Sequence, residues 1–387
     1  MYRMGKEEVL ELEKLIETKK LFKTESVLKE SRQVEEKLSK IFDTKYPIFM
    51  TSGHAGLVSA LVGMGIGPGD EVIVPAYTYI ATAMAVVAVG AMPVIAEVNE
   101  TLTLDPEDVK KKISQHTKAI IPVHIQGFPC DMKSLMEIAK EHNLFILEDA
   151  CQADGGSFGG KRLGTIGDAG ALSFNYYKII SSGEGGALLT DNREIYERAL
   201  IYHDSSAVAF FGGQLDDVST KEFCGQEFRA NELCAAVMNI QLDRLDKILA
   251  DLRANKKYIM DNLKGIAEFA PSNDIEGDCG TTVVFQFDTP DAAIDFAAKV
   301  GGTVPINTGK HIYKHWTAIM EKRGALNPLM DPFKMEANRD IVPDYKPDMC
   351  PKTLDYLSKV VYVGVRPDDD KATLDAKIES YKKALSK

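Results

Sequence analysis

The sequence lacks the features that mark membrane, secreted and nucleic-acid-binding proteins. Its longest apolar run, residues 80–89, is far shorter than the ~20 residues that a helix needs to cross a bilayer. Residues 1–13 are charged and have no apolar core of the signal-peptide kind. There is no basic run, and 57 acidic against 46 basic residues give a net charge of −11. We therefore expect a cytoplasmic protein that binds neither nucleic acid nor an anionic membrane.

The arrangement of the cysteines argues against a disulfide framework and against a cysteine metal site. There are six, and no two of them form a CxxC pair. They are Cys130, Cys151, Cys224, Cys234, Cys279 and Cys350. Such scattered cysteines favour reduced thiols in a cytoplasm, and they predict neither a disulfide framework nor a metal site.

The order of apolar and polar residues predicts an α/β fold. The 387 residues are 45% hydrophobic and 27% charged, as in an ordinary globular protein. Short apolar runs alternate with helical patterns, which is typical of a mainly parallel sheet covered on both faces. The runs are 71–75, 92–98, 118–124, 144–149, 170–174 and 186–190.

Helical patterns flank this central part of the chain. Residues 6–40 have the pattern of a charged helical region, and residues 229–264 that of one long helix. The composition after the long helix is mixed, with a strand pattern at 281–287 and a loop-rich stretch at 301–348. We place a domain boundary near residue 250, between a large domain (1–250) and a small C-terminal domain (251–387).

Two charged residues stand where parallel strands end, which is where open α/β sheets bind ligands. Asp149 ends an apolar strand, where a carboxylate is costly unless a cation or a strong donor meets it. Lys178 follows the strand at 170–174, and lysine is the side chain that forms Schiff bases with aldehydes. The alternatives are a helix cap or ion pair for Asp149 and a solvated loop lysine. The neighbours of Lys178, which are Tyr176, Tyr177, Ile179 and Ile180, argue against the solvated loop.

Two further patterns lie at the same predicted sheet edge. The small residues Ser52 and Gly53 open a helix whose backbone amides suit a phosphate, and Ser173 adds a hydroxyl. The aromatic residues in 75–79 offer a ring for stacking on a planar ligand. Each pattern alone also fits an ordinary strand–helix turn or core aromatics. Together with Asp149 and Lys178 they match the needs of pyridoxal 5′-phosphate (PLP).

Long motifs in the chain are similar to those of the DegT/DnrJ/StrS-type sugar aminotransferases. The central one is EDACQADGGSFGGKRLGTIGDAGALSFNYYKIISSGEGGALLTD, at 148–191. Others are at 65–94, 123–132 and 225–236, in the order in which the family has them. The stretches NTGKHIYKHW and DMCPKTLDYLSKVVYVGV resemble the branch that contains 8-amino-3,8-dideoxy-manno-octulosonate transaminase.

This resemblance implies a fold type I PLP enzyme. Its large domain would have a mainly parallel seven-stranded sheet flanked by helices, and its small domain would be α+β. It would form a homodimer with active sites at the interface, and would move an amino group from glutamate or glutamine to a keto or aldehyde sugar or a related polyol.

The resemblance also assigns roles to residues. Lys178 would be the Schiff-base lysine and Asp149 the partner of the pyridine nitrogen. The other cofactor contacts would be Gln152 at the phenolic oxygen, Ser173 and the Ser52–Gly53 turn at the phosphate, and Tyr79 stacked on the ring. Lys310, His311 and His315 fall where substrate-facing loops lie in the resembling branch, although loop histidines are more often merely exposed.

Two positions depart from the family pattern. His54 stands where the family usually has a threonine that holds the phosphate. Glu227 stands where it has an asparagine from the neighbouring subunit, and a glutamate facing a phosphate is repulsive. Either Glu227 points elsewhere, or a protonated His54 lies between the two anions and pairs with Glu227 across the interface.

Other functions remain open on the same scaffold. One is a PLP-dependent enzyme of the dehydratase or aromatising type, and another is a non-catalytic PLP-binding regulatory protein. Sugar dehydratases of the family replace the lysine by histidine, so Lys178 argues against that branch but not against the aromatising one. A nicotinamide dehydrogenase is disfavoured because no GxGxxG follows a first strand.

Overall fold

A computed structural model describes residues 3–23, 26–207 and 218–386. The description does not include residues 1–2, 24–25 and 208–217. The predictions for the N-terminus and for residues 6–40 therefore fall partly outside the described residues. The strands are β1 (Tyr46–Met50), β2 (Glu71–Pro75), β3 (Met92–Ala96), β4 (Thr117–Ile120), β5 (Phe145–Asp149), β6 (Ser157–Phe158), β7 (Lys161–Arg162), β8 (Ala169–Ser173), β9 (Gly186–Thr190), β10 (Glu268–Phe269), β11 (Thr282–Gln286) and β12 (Val360–Gly364).

Helices cover the sheets. The predicted helical region 6–40 contains two helices, 6–18 and 30–42, and the long helix predicted at 229–264 extends over 232–262. They are α1 (Lys6–Thr18), α2 (Glu30–Phe42), α3 (Gly53–Gly63), α4 (Ala81–Ala88), α5 (Pro106–Lys112), α6 (Met132–His142), α7 (Arg193–His203), α8 (Glu232–Asn262), α9 (Pro290–Val300), α10 (Thr317–Met320), α11 (Pro351–Ser358) and α12 (Lys371–Leu385).

The central sheet has seven strands in the order β1-β9-β8-β5-β4-β2-β3. The pairs from β8 to β3 are parallel, whereas β9 is antiparallel to both β8 and β1. The prediction of a mainly parallel seven-stranded sheet flanked by helices is therefore confirmed. Because the parallel strands all end at one edge, Asp149 at the end of β5 and Ser173 at the end of β8 lie on the same side.

Helix α3 is apolar on every side because it packs between the sheet and α7. Its residues are almost all buried, in keeping with a helix that has no solvent face. Its glycines allow this close approach: a Cβ on Gly56 would lie 3.0 Å from Ala187 O, and one on Gly53 would lie 2.5 Å from Cys151 Sγ. The N-terminus of α3 is therefore held against the strand ends.

The C-terminal part of the chain contains a second sheet, the antiparallel β10-β11-β12. Phe285 of β11 packs against Phe296 of α9 and Tyr381 of α12, with ring centroids 4.7 and 5.5 Å apart. Helix α8 runs unbroken through residue 250, so the predicted domain boundary falls inside a helix.

Residues 301–358 return to the large sheet. Asn338 Nδ2 donates to Gly90 O at 2.9 Å, and Tyr345 Oη donates to Pro93 O at 2.8 Å. Thr353 Oγ1 donates to Glu97 Oε2 at 2.6 Å. This segment therefore packs on β3 and its flanking loops, and the division at residue 250 stays a prediction.

Within the described ranges, the helices are all too short or too polar to cross a membrane. The same residues contain no group of three or more His, Cys, Asp and Glu side chains arranged to hold a metal ion.

Candidate active site at the carboxyl edge of the sheet

Asp149 is a buried carboxylate whose two oxygens are both held by the chain. It is 5% exposed at the end of β5. Thr82 Oγ1 donates to Oδ2 at 2.7 Å, and the amide of Cys151 donates to Oδ1 at 3.1 Å. Asp149 caps no helix and forms no ion pair with the described residues. A carboxylate oriented in this way still has acceptor capacity for one more N–H donor.

Thr82 connects Asp149 to the chain that follows β2. It lies in the first turn of α4, where Oγ1 also lies 2.8 Å from Thr78 Oγ1 and 3.2 Å from Tyr79 O. The sequence analysis did not single out this threonine. The signal that would have found it is a hydroxyl residue at a helix N-terminus directly after a strand, which is also the ordinary pattern of a helix start.

Glu148, next to Asp149, fixes the end of β5 from the opposite face of the strand. It is fully buried and accepts from backbone amides of the loop 164–167 at 2.6–2.8 Å. His124 Nε2 lies 3.1 Å from Glu148 Oε2, while the amide of Cys130 donates to His124 Nδ1 at 3.1 Å. Because Nδ1 accepts, Nε2 is the nitrogen that donates to Glu148. This network holds Asp149 in place through its neighbour.

Lys178 lies in the turn between β8 and β9 and is half-buried. The turn is closed by backbone hydrogen bonds from Phe174 N to Gly185 O at 2.9 Å and from Ser182 N to Phe174 O at 3.0 Å. The predicted protection of Lys178 by its neighbours is only half right. Ile179 and Ile180 are buried, but Tyr176 and Tyr177 are 65% and 77% exposed.

Lys178 and Asp149 both influence the pKa of the Cys151 thiol. Burial raises the pKa of Cys151 well above its ordinary value, Asp149 raises it further, and Lys178 opposes the shift. Lys178 also lowers the pKa of His311, after the larger effects of burial and Lys310. Because β5 and β8 are paired in parallel, Asp149 at the end of β5 and the turn that contains Lys178 lie at the same edge of the sheet.

The first turn of α3 forms a cradle of small residues next to this place. Ser52 is the N-cap, and its Oγ accepts from the amide of Ala55 at 3.1 Å. A Cβ on Gly53 would lie 2.9 Å from Ser173 Cβ, and a Cβ on Gly186 would lie 2.2 Å from the Ser52 carbonyl carbon. Ser52, Gly53 and Ser173 therefore meet at the N-terminus of a helix, where an anion is favoured.

His54 and Glu227 each have a partner within this chain. His54 Nδ1 lies 3.2 Å from Ala81 O, and burial lowers the His54 pKa more strongly than Ala81 and Asp149 raise it. Glu227 Oε2 pairs with Arg229 Nη2 at 2.8 Å, and Arg229 also pairs with Asp204. Within one chain the lowered pKa argues against the protonated His54 that the prediction requires. The His54–Glu227 pair itself joins two subunits, so it stays a prediction.

Gln152 is oriented by a neighbouring loop. Its Oε1 accepts from the amide of Gln126 at 3.1 Å. Gln126 has a φ of 52°, and its own Oε1 accepts from Thr282 Oγ1 at 3.2 Å. With its oxygen in use, the Gln152 side chain has its NH₂ group left to donate.

The Tyr79 ring lies next to Lys310 and His311 of the predicted substrate loop. Lys310 Nζ lies 5.0 Å from the centroid of the Tyr79 ring, and the His311 ring centroid lies 5.6 Å from it. The loop is held by the buried Trp316, whose Nε1 donates to Lys310 O at 3.0 Å, and by a hydrogen bond from Thr78 N to His311 O. His315 is exposed, and its described contacts do not bring it to Tyr79.

Comparison with known proteins identifies the family. Residues 3–290 match the DegT/DnrJ/EryC1/StrS aminotransferase family, and the chain belongs to it. The chain is 36% identical over 233 residues to GDP-perosamine synthase of Vibrio cholerae, covering 60% of this chain and 62% of the relative. It is 33% identical over 293 residues to L-glutamine:2-deoxy-scyllo-inosose aminotransferase of Streptomyces kanamyceticus, covering 73% and 66%.

A solved structure of an aminotransferase has the same fold as this chain. The crystal structure of an aminotransferase from Psychrobacter cryohalolentis matches with a TM-score of 0.78 and 25% identity, covering 98% of this chain and 97% of that one. The sequence matches are less extensive, because the chain spans less than two thirds of the length of the curated relatives it matches first.

Proposed function

We propose that this protein is a PLP-dependent aminotransferase that moves an amino group from glutamate or glutamine to a keto or aldehyde sugar or a related polyol. The observation that carries the proposal is that Asp149 at the end of β5, the turn with Lys178 after β8 and the N-terminus of α3 lie at one edge of the sheet. The relatives support it, since one is named a perosamine synthase and another an L-glutamine:inosose aminotransferase.

The residues at the sheet edge fit each part of the cofactor. Asp149 has a held carboxylate for the protonated ring nitrogen, and Gln152 has an amide NH₂ for the phenolic oxygen. The α3 amides with Ser52 and Ser173 suit the phosphate, where glycine at 53 leaves room that a Cβ would fill. The Tyr79 ring, 40% exposed, offers a face for stacking. Bound there, PLP supplies an electrophilic carbon for the amino group and a cationic ring that withdraws electrons.

Lys178 has two tasks in this proposal. Its Nζ holds the cofactor covalently between turnovers. Freed by the amino donor, Nζ would take the proton from the donor's α-carbon and deliver it to the former aldehyde carbon of the cofactor, on the other side of the nitrogen. Asp149 keeps the proton on the ring nitrogen throughout. The second half of the reaction repeats these steps in reverse order on the acceptor.

The rest of the proposal concerns the substrate and the assembly. Lys310 and His311, next to Tyr79, and His315 further along the same loop are the proposed acceptor contacts. We infer a cytoplasmic homodimer with its active sites at the interface, in which the neighbouring subunit supplies Glu227 near His54. These inferences rest on the family resemblance rather than on contacts within one chain.

A donor–acceptor screen tests the function. Glutamate and glutamine are added separately to the PLP-loaded protein, and the visible absorption of the bound cofactor is followed. We expect one donor to remove it and a keto sugar or keto polyol to restore it with formation of an amino product. Lys178→Ala is the control and should show no such cycle.

Other results of the screen would select the alternative functions. Loss of water from the sugar without gain of nitrogen would make the protein a dehydratase or aromatising enzyme. If no donor changes the cofactor absorption, the protein would be a non-catalytic PLP-binding protein, and the proposal would be wrong.

A further inference from the structure

Gln126 has an unusual backbone conformation for a residue with a side chain. Its φ is 52° and its ψ is 18°, in the left-handed region that favours glycine. It lies in the turn 125–127 after β4 and is half-buried. A conformation of this kind persists only where the surrounding structure holds it, so the contacts of Gln126 decide the shape of the turn.

Two threonines of the second sheet hold Gln126 from one side. Thr281 Oγ1 donates to Gln126 O at 2.5 Å, and Thr282 Oγ1 donates to Gln126 Oε1 at 3.2 Å. Both threonines are buried, and Thr282 is the first residue of β11. The amide of Cys279 also donates to Gly127 O at 3.1 Å. The turn 125–127 is therefore attached to the start of β11.

The start of β11 is itself anchored to α8. Asp278 Oδ2 pairs with Lys256 Nζ at 2.6 Å, and both side chains are buried. Asp278 Oδ1 accepts from the amide of Gly280 at 2.6 Å, and Asp278 O accepts from Arg253 Nε at 2.7 Å. Because breaking a buried ion pair is costly, this anchor keeps the start of β11 in one place.

On its other side Gln126 holds Gln152. The amide of Gln126 donates to Gln152 Oε1 at 3.1 Å, so the NH₂ group of Gln152 is the end left free. With the Gln152 amide turned over, its NH₂ group would face the N–H of Gln126, and both donors would lack an acceptor. The hydrogen bonds therefore run from Thr282 to the Gln126 side chain, and from the Gln126 backbone to Gln152.

We propose that Gln126 is a positioning residue, which couples the start of β11 to Gln152 and keeps the Gln152 NH₂ group available for the phenolic oxygen of the cofactor. The inference rests on the proposed function. An N–H donor stabilises negative charge on a phenolic oxygen, whereas the Gln152 carbonyl oxygen in its place would repel that charge. A shift of β11 relative to the large sheet would therefore reach the cofactor through Gln126.

The first test follows the Gln126 amide in the full chain without PLP. Its rate of hydrogen exchange is measured at residue resolution by mass spectrometry. Gln152→Ala removes the acceptor of this amide, and Thr282→Val removes the hydroxyl that holds the Gln126 side chain. We expect both variants to raise the exchange rate at residue 126 by roughly threefold or more, as for the loss of one hydrogen bond. Unchanged exchange in either variant would overturn the proposal.

Thr282→Ser and Thr190→Val are the matched controls. Thr282→Ser keeps the hydroxyl that donates to Gln126. Thr190 is buried like Thr282, but it ends β9 at the opposite edge of the central sheet, where its Oγ1 donates to Asp168 O at 2.6 Å. We expect the native exchange rate at residue 126 in both controls. An equal rise in Thr190→Val and Thr282→Val would reflect a general loosening of the fold and would overturn the proposal.

The second test uses the PLP-loaded protein and follows the pH at which the absorption of the bound cofactor changes. A donor at the phenolic oxygen favours the deprotonated form of the cofactor, so its loss in Gln152→Ala should raise this midpoint by about one unit. Thr282→Val should raise the midpoint by a smaller amount, and the two controls should not change it. An unchanged midpoint in Thr282→Val would overturn the proposal.

The two tests separate this inference from the proposed function. If the chain binds no PLP, the proposed function fails, whereas the exchange rates still decide whether β11 holds Gln152 through Gln126.

A pair of variants at Gln126 covers the case in which Thr282→Val does not fold. Gln126→Gly and Gln126→Val both lose the side chain, but glycine adopts a positive φ freely and a β-branched residue does not. Glycine therefore keeps the backbone N–H directed at Gln152. We expect a larger rise of the midpoint and a larger loss of PLP affinity in Gln126→Val than in Gln126→Gly. Equal changes in the two variants would overturn the proposal.

Discussion

Two buried aspartates, Asp149 and Asp154, lie five residues apart in the chain and have different surroundings. Asp149 receives a hydroxyl from Thr82 and an amide from Cys151, so the chain itself completes its surroundings. Asp154 is more deeply buried, and the group next to it is the backbone of Ser173. The first arrangement suits a fixed partner for a cofactor, whereas burial raises the pKa of Asp154 well above its ordinary value and so favours its neutral form. Substitutions of Asp149 and of its donor Thr82 therefore test how much the supported carboxylate contributes to the proposed function.

The largest effect is expected from Asp149→Asn. The amide has no negative charge to hold a proton on the ring nitrogen, so the ring withdraws electrons less well. We expect turnover to fall by on the order of 1,000-fold, equivalent to about 4 kcal/mol of transition-state stabilisation. Steady-state kinetics with the productive donor and acceptor measures this, with Asp168→Asn as a control that should stay near normal. A near-normal rate in Asp149→Asn would make Asp149 a structural residue.

A smaller effect is expected from Thr82→Val, which keeps the shape of the side chain and removes the hydroxyl that donates to Asp149. A hydrogen bond to a charged group contributes about 1.5–3 kcal/mol, so turnover should fall by roughly 10-fold or more. Thr82→Ser retains the hydroxyl and should recover most of the rate. Equal losses in both variants would mean that the methyl group, not the hydroxyl, matters to the site.

The smallest effect is expected from substitutions of His54 and Glu227. If they meet across the subunit interface, His54→Thr and Glu227→Gln should be non-additive in PLP affinity by ~0.5–3 kcal/mol. His54→Thr alone should weaken binding, and the double variant should recover much of it. A double-mutant cycle measured by PLP titration tests this, with the exposed Glu222→Gln as a control. Strict additivity would show that His54 and Glu227 do not interact, and that Glu227 keeps its ion pair with Arg229.

Much of the sheet follows from local sequence. Apolar runs of five or six residues between helical patterns are buried on both faces, so β2, β5, β8 and β9 lie within one residue of their predicted positions. The placement of Asp149 and Lys178 at one edge follows from the same pattern, because parallel strands end together. These are properties that a short stretch of chain carries by itself.

Contacts between distant segments could not be predicted in this way. The hydrogen bond from Thr82 to Asp149 joins residues 67 positions apart, and the complete burial of Asp154 follows from segments that are distant in the sequence. The domain boundary near 250 was placed by composition, whereas α8 continues through it because its apolar side stays buried from Ala235 to Ile259. Composition changes along a chain do not have to coincide with the ends of helices.

The attachment of the cofactor to Lys178 is the most direct test of the whole account. The purified protein is supplied with PLP, reduced with borohydride and digested, and the modified lysine is identified by mass spectrometry. The account predicts one stable modification, on Lys178, with none in Lys178→Ala. A label on another lysine, or no label after PLP is supplied, would contradict it.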